Sequence, residues 1–244
     1  MRYKLTIEYD GTPFCGWQKQ QGTLTVQETL EKALSTALRT PTDLYGSGRT
    51  DTGVHALGQV AHFDCQCEQN EYRLRESLNA LVRPYPISVR SVERVFDDFH
   101  ARFSAKQRAY LYHIQNTRYP PALAVNRVWW LPYPLDVSKM QQAADLLIGK
   151  HDLSTFRAAQ CQAKSPVKTI DELTVTRNQD DVFIQIKARS FLYHQVRNIV
   201  GSLAYVGYGK WTLSDFQAAF EARDRRRGGE TAPAAGLYFL NVSY

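Results

Sequence analysis

The sequence has few cysteines and no long apolar run. Its four cysteines include the close pair Cys65 and Cys67, but no second Cys or His pair follows at zinc-site spacing. We therefore predict no metal site and reduced thiols in a cytoplasmic protein. No apolar stretch is long enough to cross a membrane, and the residues after Met1 alternate as a strand does. Neither membrane insertion nor secretion is expected.

Several catalytic motifs are also missing. There is no G-x-S-x-G elbow, which argues against a serine hydrolase, and the six histidines show no ligand spacing. The loop that begins at Gly46 matches neither G-x-G-x-x-G nor a Walker loop, so it is not predicted to bind phosphate. Asp51-Thr52-Gly53 resembles an aspartic protease motif, but no second copy and no apolar strand leading into Asp51 are present. A protease is therefore excluded.

The composition is that of a folded protein with a basic surface. Hydrophobic residues make up 43% of the 244 residues and aromatic residues 12%, enough for a sizeable core. The formal net charge is +6. A basic excess of this size suits a polyanionic partner such as RNA, although charge alone does not identify one.

Hydrophobic periodicity predicts a mixed arrangement of strands and helices. The first half contains strands at 3–9, 57–63 and 87–95 and helices at 25–38 and 71–82. The second half contains strands near 110–114, 169–177, 182–190 and 237–242 and helices at 136–148, 194–205 and 212–222. We predict an α+β fold of two related halves, residues 1–105 and 106–244, that share one sheet.

Asp51 is the candidate catalytic residue of the first half. It lies on a tight loop between two predicted strands, and Arg49 is two residues away. A cationic neighbour favours the charged form of a carboxylate, as a nucleophile or an electrostatic stabiliser requires. The residues alone leave a structural alternative open, in which Asp51 only accepts hydrogen bonds from loop amides.

Longer segments carry a resemblance to a known family. The stretch GSGRTDTGVHALGQVAHFD is similar to the catalytic motif of the tRNA pseudouridine synthase A family. Five further segments resemble family motifs in the same order along the chain: YDGTPFCGWQKQ, TVQETLEKAL, FHARFSAKQRAYLY, FLYHQVRNIVGSL and APAAGLYFL. The resemblance covers nearly the whole chain. It implies the pseudouridine synthase fold, a mixed and largely antiparallel sheet with helices on one side.

The resemblance also implies roles for individual residues. Asp51 would be the essential carboxylate, Arg197 would pair with it, and Tyr110 would stack on the target uracil and take part in proton transfer. Arg49 would contact the substrate backbone or fill the space left by the flipped nucleotide, and Leu237 would pack against the uracil. From the pattern alone, Tyr110 equally fits a core position on a strand, and the helix places Arg197 at the edge of its apolar side.

The implied reaction converts uridine to pseudouridine at positions 38, 39 and 40 in the anticodon stem-loop of tRNA, with no cofactor and no metal. Asp51 would add to the anomeric carbon, take a proton from C2′, or add to C6 of the base, and the sequence does not separate these routes. The family also implies a homodimer. Arg225, Arg226 and Arg227 form a basic, flexible segment that is predicted to contact phosphates.

Two positions depart from the family pattern, and two alternative functions stay open. Gln195 stands where the family often has Met, and Ala109 where it often has Arg, and both lie beside predicted site residues. A non-catalytic RNA-binding protein on the same scaffold is the first alternative. A hydrolase that acts through Asp51 on a small substrate is the second.

Overall fold

A computed structural model describes residues 1–244, which form ten strands and five α-helices. The strands are β1 (Arg2–Tyr9), β2 (Tyr45–Gly46), β3 (His55–Asp64), β4 (Ile87–Val95), β5 (Gln107–Gln115), β6 (Trp129–Trp130), β7 (Gly149–Asp152), β8 (Val167–Asn178), β9 (Asp181–Ala188) and β10 (Leu237–Ser243). The helices are α1 (Val26–Leu38), α2 (Glu71–Leu81), α3 (Val137–Asp145), α4 (Gln195–Gly207) and α5 (Leu213–Glu221).

The strands belong to one mixed sheet. Most of its pairings are antiparallel, whereas β10 runs parallel to β3 and β6 runs parallel to β5. The predicted α+β class with a mixed, largely antiparallel sheet is confirmed.

The chain divides into two compact units. Unit 1 contains residues 1–106 and 238–244, and unit 2 contains residues 107–237. The last strand therefore returns to the N-terminal unit, because Tyr238 and Phe239 pair with residues of β3. The proposed relation between residues 1–105 and 106–244 as duplicated halves stays a prediction.

Unit 1 builds its core on the alternating pattern of β1. Its strand order is β4-β1-β3-β10. Tyr3, Leu5 and Ile7 are fully buried on one face of β1, as the two-residue period of a strand requires. The apolar stripe of α1, with Val26, Leu30 and Leu34, is also fully buried.

Unit 2 is built on the strand order β5-β9-β8-β7. Alternate residues of β9 are fully buried, as in unit 1. Helix α4 is buried on nearly every side, which is typical of a helix in the interior of a protein. This packing fixes the position of the first turn of α4, where Arg197 lies.

Several short elements were not predicted, among them β6 and a 3₁₀ helix at residues 154–156. The helix predicted for residues 136–148 ends at Asp145, and Gly149 begins the short strand β7 with a φ of +101°. Residues 225–227 and 234–236 form short 3₁₀ helices. The basic segment predicted to be flexible is thus regular, and Asp224 caps it by accepting a hydrogen bond from the Arg226 backbone amide. None of the five α-helices is both long enough and apolar enough to cross a bilayer.

Candidate active site

Asp51 lies on the loop that connects β2 to β3 in unit 1. The residue is half-buried, and its carbonyl oxygen accepts a hydrogen bond from the Val54 amide at 3.1 Å. Gly53 has a φ of +76° in this turn, a backbone conformation that favours glycine. The turn therefore fixes the backbone that carries the carboxylate.

The segment after β1 holds this loop through backbone hydrogen bonds. The Trp17 amide donates to the Thr50 carbonyl at 3.1 Å, and the Gly53 amide donates to the Phe14 carbonyl at 3.3 Å. The Tyr9 and Thr50 hydroxyls share a buried hydrogen bond of 2.8 Å. Burial raises the pKa of Tyr9, so its hydroxyl remains protonated and can donate. Asp51 is consequently flanked on both sides by backbone that is held in place.

Gly16 allows the two segments to approach closely. Its φ is +83°, and a Cβ atom built there would lie 2.5 Å from the Thr50 carbonyl oxygen and 3.1 Å from the Asp51 carbonyl carbon. A larger residue would have to displace the loop that carries Asp51.

We expect Gly16→Ala to destabilise the protein by about 2–4 kcal/mol, the sum of overpacking and left-handed backbone strain. Gly22→Ala is the matched control, since Gly22 has a φ of +75° but a Cβ atom there would meet nothing within 4 Å. Gly22→Ala should lower the free energy of unfolding by only about 1 kcal/mol, the cost of placing alanine in a left-handed backbone conformation. Urea unfolding measures both, and equal losses for the two variants would contradict a tight contact at Gly16.

His55 holds the other side of the same loop. Its ring is buried, and Nδ1 accepts a hydrogen bond from the Gly11 amide at 3.0 Å. The same nitrogen lies 3.1 Å from an oxygen of the Asp10 carboxylate, and the ring stacks on Tyr238 at 4.7 Å. The spacing of the histidines gave no sign of this role. The only sequence signal was the position of His55 in the loop motif, four residues after Asp51.

Arg49 is exposed on the Asp51 loop. Its Nε donates to the Gln18 side chain at 3.2 Å. The loop backbone beneath it is fixed by Gln59, which donates from its buried side chain to the Gly48 carbonyl at 2.9 Å. Arg49 therefore exposes its guanidinium to solvent from a loop whose backbone is held in place.

In unit 2, Tyr110 lies on β5 and is 8% exposed. It pairs with Ile186 of β9, and the Phe191 ring meets it edge-on at 5.0 Å between centroids. Ala109 is buried and follows the strand alternation onto the opposite face of β5. The Ala109 departure from the family pattern therefore does not alter the face that carries Tyr110.

Arg197 lies in the first turn of α4. Its Nε donates to the Ala232 carbonyl at 2.7 Å, and the Ala232 amide donates back to the Arg197 carbonyl at 3.1 Å. Two residues earlier, the Gln195 side-chain oxygen accepts from the Leu192 amide at 2.8 Å, while its buried Nε2 has no hydrogen-bond partner. These bonds fix the turn that precedes α4.

Leu237 follows a segment that packs against β5. The Tyr112 hydroxyl donates to the Pro233 carbonyl at 2.7 Å, and a Cβ atom at Gly236 would lie 2.6 Å from the Tyr112 ring. Leu237 is buried at the start of β10. Unit 2 thus brings the strand of Tyr110, the first turn of α4 and the segment before Leu237 together.

The three arginines of the basic segment have different environments. Arg225 donates to the Gly229 carbonyl at 2.8 Å and to the side chains of Asn198 at 3.1 Å and Thr231 at 3.0 Å. Arg226 is highly exposed and forms an ion pair with Asp224 at 2.6 Å. Arg227 is exposed. Arg225 therefore orders the segment, whereas Arg226 and Arg227 face solvent.

No group of three or more His, Cys, Asp or Glu residues is arranged to hold a metal ion, and the four cysteines are free thiols. The polar groups predicted to be catalytic are, in unit 1, the Asp51 carboxylate on its rigid loop and, in unit 2, the Tyr110 phenol and the Arg197 guanidinium. Such groups suit electrostatic and nucleophilic chemistry on a bound substrate.

Comparison with known proteins identifies the class. The family profile described as tRNA pseudouridine synthase matches residues 5–104 and 143–244. The chain therefore belongs to the tRNA pseudouridine synthase family, and the resemblance drawn from the sequence motifs is confirmed.

Individual relatives specify the family member that the chain resembles. A tRNA pseudouridine synthase A from Rhodospirillum rubrum is 52% identical over 100% of this chain and 88% of its own length. One from Paramagnetospirillum magneticum is 54% identical over 100% of this chain and 95% of its own length. A chain from a crystal structure of a Cbf5-Nop10-Gar1 complex is 10% identical with a TM-score of 0.37, covering 82% of this chain and 44% of that one. This last likeness is too slight to support an argument.

Proposed function

We propose that this protein isomerises uridine to pseudouridine in tRNA, at positions 38, 39 and 40 of the anticodon stem-loop. The family match across nearly the whole chain carries the proposal. The enzyme breaks an N-glycosidic bond, rotates the uracil and forms a C-glycosidic bond. No redox change and no external group transfer are involved.

Asp51 is the catalytic carboxylate of this proposal. Its rigid loop supports the role, because a catalytic group acts most effectively when its geometry is fixed before the substrate binds. Arg197 pairs with Asp51, since a planar guanidinium binds a carboxylate bidentately. All three routes for Asp51 remain compatible with this arrangement: attack at the anomeric carbon, proton removal at C2′, and addition to C6.

Tyr110 and Leu237 hold the base. Reaching a nucleotide inside a stem requires its extrusion, at a cost of a few kcal/mol in lost stacking and pairing. The Tyr110 ring stacks on the extruded uracil and takes part in proton transfer, and Leu237 packs against the base. The edge-on contact of Tyr110 with Phe191 supports this role, because the Tyr110 ring already packs against an aromatic neighbour.

Arg49, Arg226 and Arg227 contact the RNA backbone, and Arg225 supports this surface from within. All three contacting arginines are exposed, as phosphate contacts require. The partner is tRNA. Two copies of the chain form a homodimer, and the protein acts in the cytoplasm, where its four free thiols stay reduced.

Two arginine substitutions distinguish the residue that stabilises the basic segment from one that is proposed to contact the RNA. We expect Arg225→Ala to lower the free energy of unfolding by about 1.5–3 kcal/mol, because it removes a charged donor to three acceptors. Arg227→Ala should change the free energy of unfolding by less than about 0.5 kcal/mol but reduce the salt slope of tRNA binding by about one. Unfolding and salt-dependent binding measurements check both. A stable Arg225→Ala variant would contradict the supporting role.

The proposed activity is tested on unmodified tRNA transcripts with carbodiimide modification and primer extension. The expected result is new stops one nucleotide 3′ of positions 38, 39 and 40 wherever these are uridines, and none after incubation with Asp51→Asn. Binding of a broad tRNA pool without any stop would favour the non-catalytic RNA-binding protein.

A further inference from the structure

A group of aromatic rings at the surface of unit 1 has no role in the proposed chemistry. Tyr45 is 49% exposed and Phe103 is 74% exposed. His100 lies near both, with its ring centroid 6.3 Å from that of Tyr45 and 4.3 Å from that of Phe103. Tyr45, His100 and Phe103 are here called the aromatic platform.

The platform is held rigidly from beneath. The buried His62 ring stacks on Tyr45 at 5.2 Å and meets His100 edge-on at 4.6 Å. Nδ1 of His62 accepts from the Ala101 amide at 3.2 Å. Nδ1 of His100 accepts from the amides of the next turn at 3.1 and 3.3 Å, the second being that of Phe103. An exposed aromatic on a turn fixed in this way loses little freedom when a flat ligand stacks on it.

A cation lies beside the platform, and the histidines in and beneath the platform are uncharged. Burial lowers the pKa of His62 to about 4, and burial also lowers the pKa of His100. Both rings are therefore neutral at pH 7 and carry no charge of their own, whereas the guanidinium of Arg102 lies 5.7 Å from the Phe103 centroid. A cation beside an exposed ring on a basic protein is the combination that binds single-stranded nucleic acid.

The platform is also linked to the loop that carries Asp51. Tyr45 pairs with His62 in the β2–β3 ladder, and the chain runs from Tyr45 through Arg49 to Asp51 in six residues. Six residues span at most about 20 Å. A base on the platform would therefore belong to the same arm of the RNA as the target nucleotide.

We propose that Tyr45, His100 and Phe103 form a stacking site for an unpaired base of the RNA substrate, distinct from the uridine that reacts. The site rests on the proposed function for the identity of the RNA. A second aromatic and arginine pair on α2, Tyr72 and Arg75, has no ring stacked beneath it, and Arg75 pairs with Glu76 at 2.8 Å.

Tyr72 therefore provides a matched control for Phe103. Phe103→Leu keeps the apolar volume but removes the aromatic face, and we expect it to raise the Kd for an unmodified tRNA transcript about tenfold. Phe103→Trp should restore wild-type affinity. Tyr72→Leu, which removes a similarly exposed ring elsewhere on unit 1, should leave the Kd within twofold.

Binding to a blunt RNA duplex, which has no unpaired bases, shows whether a loss of affinity comes from lost base stacking or from a general effect on the fold. Phe103→Leu should bind this duplex as the wild type does. A transcript Kd within twofold of wild type for both Phe103→Leu and Tyr45→Leu would overturn the proposal, and so would an equal loss of affinity for transcript and duplex.

Failure of the stacking site and failure of the proposed function give different results. If the wild type forms pseudouridine but Phe103→Leu binds normally, only the stacking site is wrong. If the wild type forms none but Phe103→Leu still weakens transcript binding selectively, the activity is wrong and the stacking site stands. A wild type that binds no RNA overturns both.

Discussion

We expect Asp51→Asn to bind unmodified tRNA with wild-type affinity but to release tritium from C5 of its uridines at least about 10⁴-fold more slowly, because the carboxylate that each route requires is gone. Forming the C-glycosidic bond at C5 expels the C5 hydrogen to solvent, so tritium release reports each turnover. Asparagine has nearly the same size and shape as aspartate. The loop is held by backbone hydrogen bonds from Val54 to Asp51 and from Trp17 to Thr50, which an asparagine does not disturb.

Asp43→Asn is the control for this experiment. Asp43 is an exposed carboxylate a few residues earlier in the same unit. Its variant should bind and turn over as the wild type does. An Asp51→Asn enzyme that kept more than about 1% of the wild-type rate would show that the reaction does not depend on this carboxylate.

Arg197→Lys should lower the single-turnover rate by about 10²- to 10³-fold while the Kd for tRNA changes by less than about threefold. Lysine keeps the charge but loses the planar fork, and with it the bidentate pairing proposed for Asp51. It also loses the Nε hydrogen bond to the Ala232 carbonyl. We therefore expect a loss of about 1 kcal/mol in unfolding free energy as well.

Arg177→Lys shows whether the rate loss is only a consequence of lower stability. Arg177 donates from Nη2 to the Asn116 side chain at 2.8 Å and to the Leu135 carbonyl at 3.1 Å. Its variant should lose stability by a similar amount but keep the wild-type rate. Equal rate losses for the two variants would contradict a catalytic role for Arg197.

The sequence predicted most helices and strands of the fold, because a helix or a strand depends mainly on residues that are close together in the chain. Thr25 caps α1, where its side chain accepts a hydrogen bond from the Glu28 amide at 3.4 Å. The spacing of Thr25 and Glu28 is that of a capping box, but the box is incomplete, because Glu28 instead forms an ion pair with Lys32 at 2.9 Å. The complete capping box is at α5, between Thr212 and Asp215. A three-residue spacing identifies a candidate box, but competing partners decide whether it forms.

The sequence patterns did not predict which residues far apart in the chain pair with each other. The final strand alternates like any other, and nothing in its residues indicates that Tyr238 pairs with His55 of β3. The role of Arg225 could not be predicted for the same reason, since its acceptor Asn198 lies 27 residues away on α4. Among three consecutive arginines, only tertiary structure distinguishes the one that supports the segment.

The candidate site was predicted from family motifs more than from chemistry. Asp51 could be derived from its loop and its charged neighbour, but Tyr110 fitted a core tyrosine equally well. The structure adds His55, Gly16 and Tyr9 as the residues that hold the Asp51 loop. Their contacts join positions about 35 to 45 residues apart, too distant for a local pattern to reveal.

The most direct test of the proposed function is mass spectrometry of the nucleosides from a tRNA transcript treated with the wild-type enzyme. Isomerisation leaves the mass of uridine unchanged but moves it to the retention time of pseudouridine, and this product should disappear when Asp51→Asn replaces the wild type. Free uracil and an abasic site would instead identify a hydrolase, and unchanged uridine from every bound tRNA would identify a binding protein. Either result would contradict the isomerase.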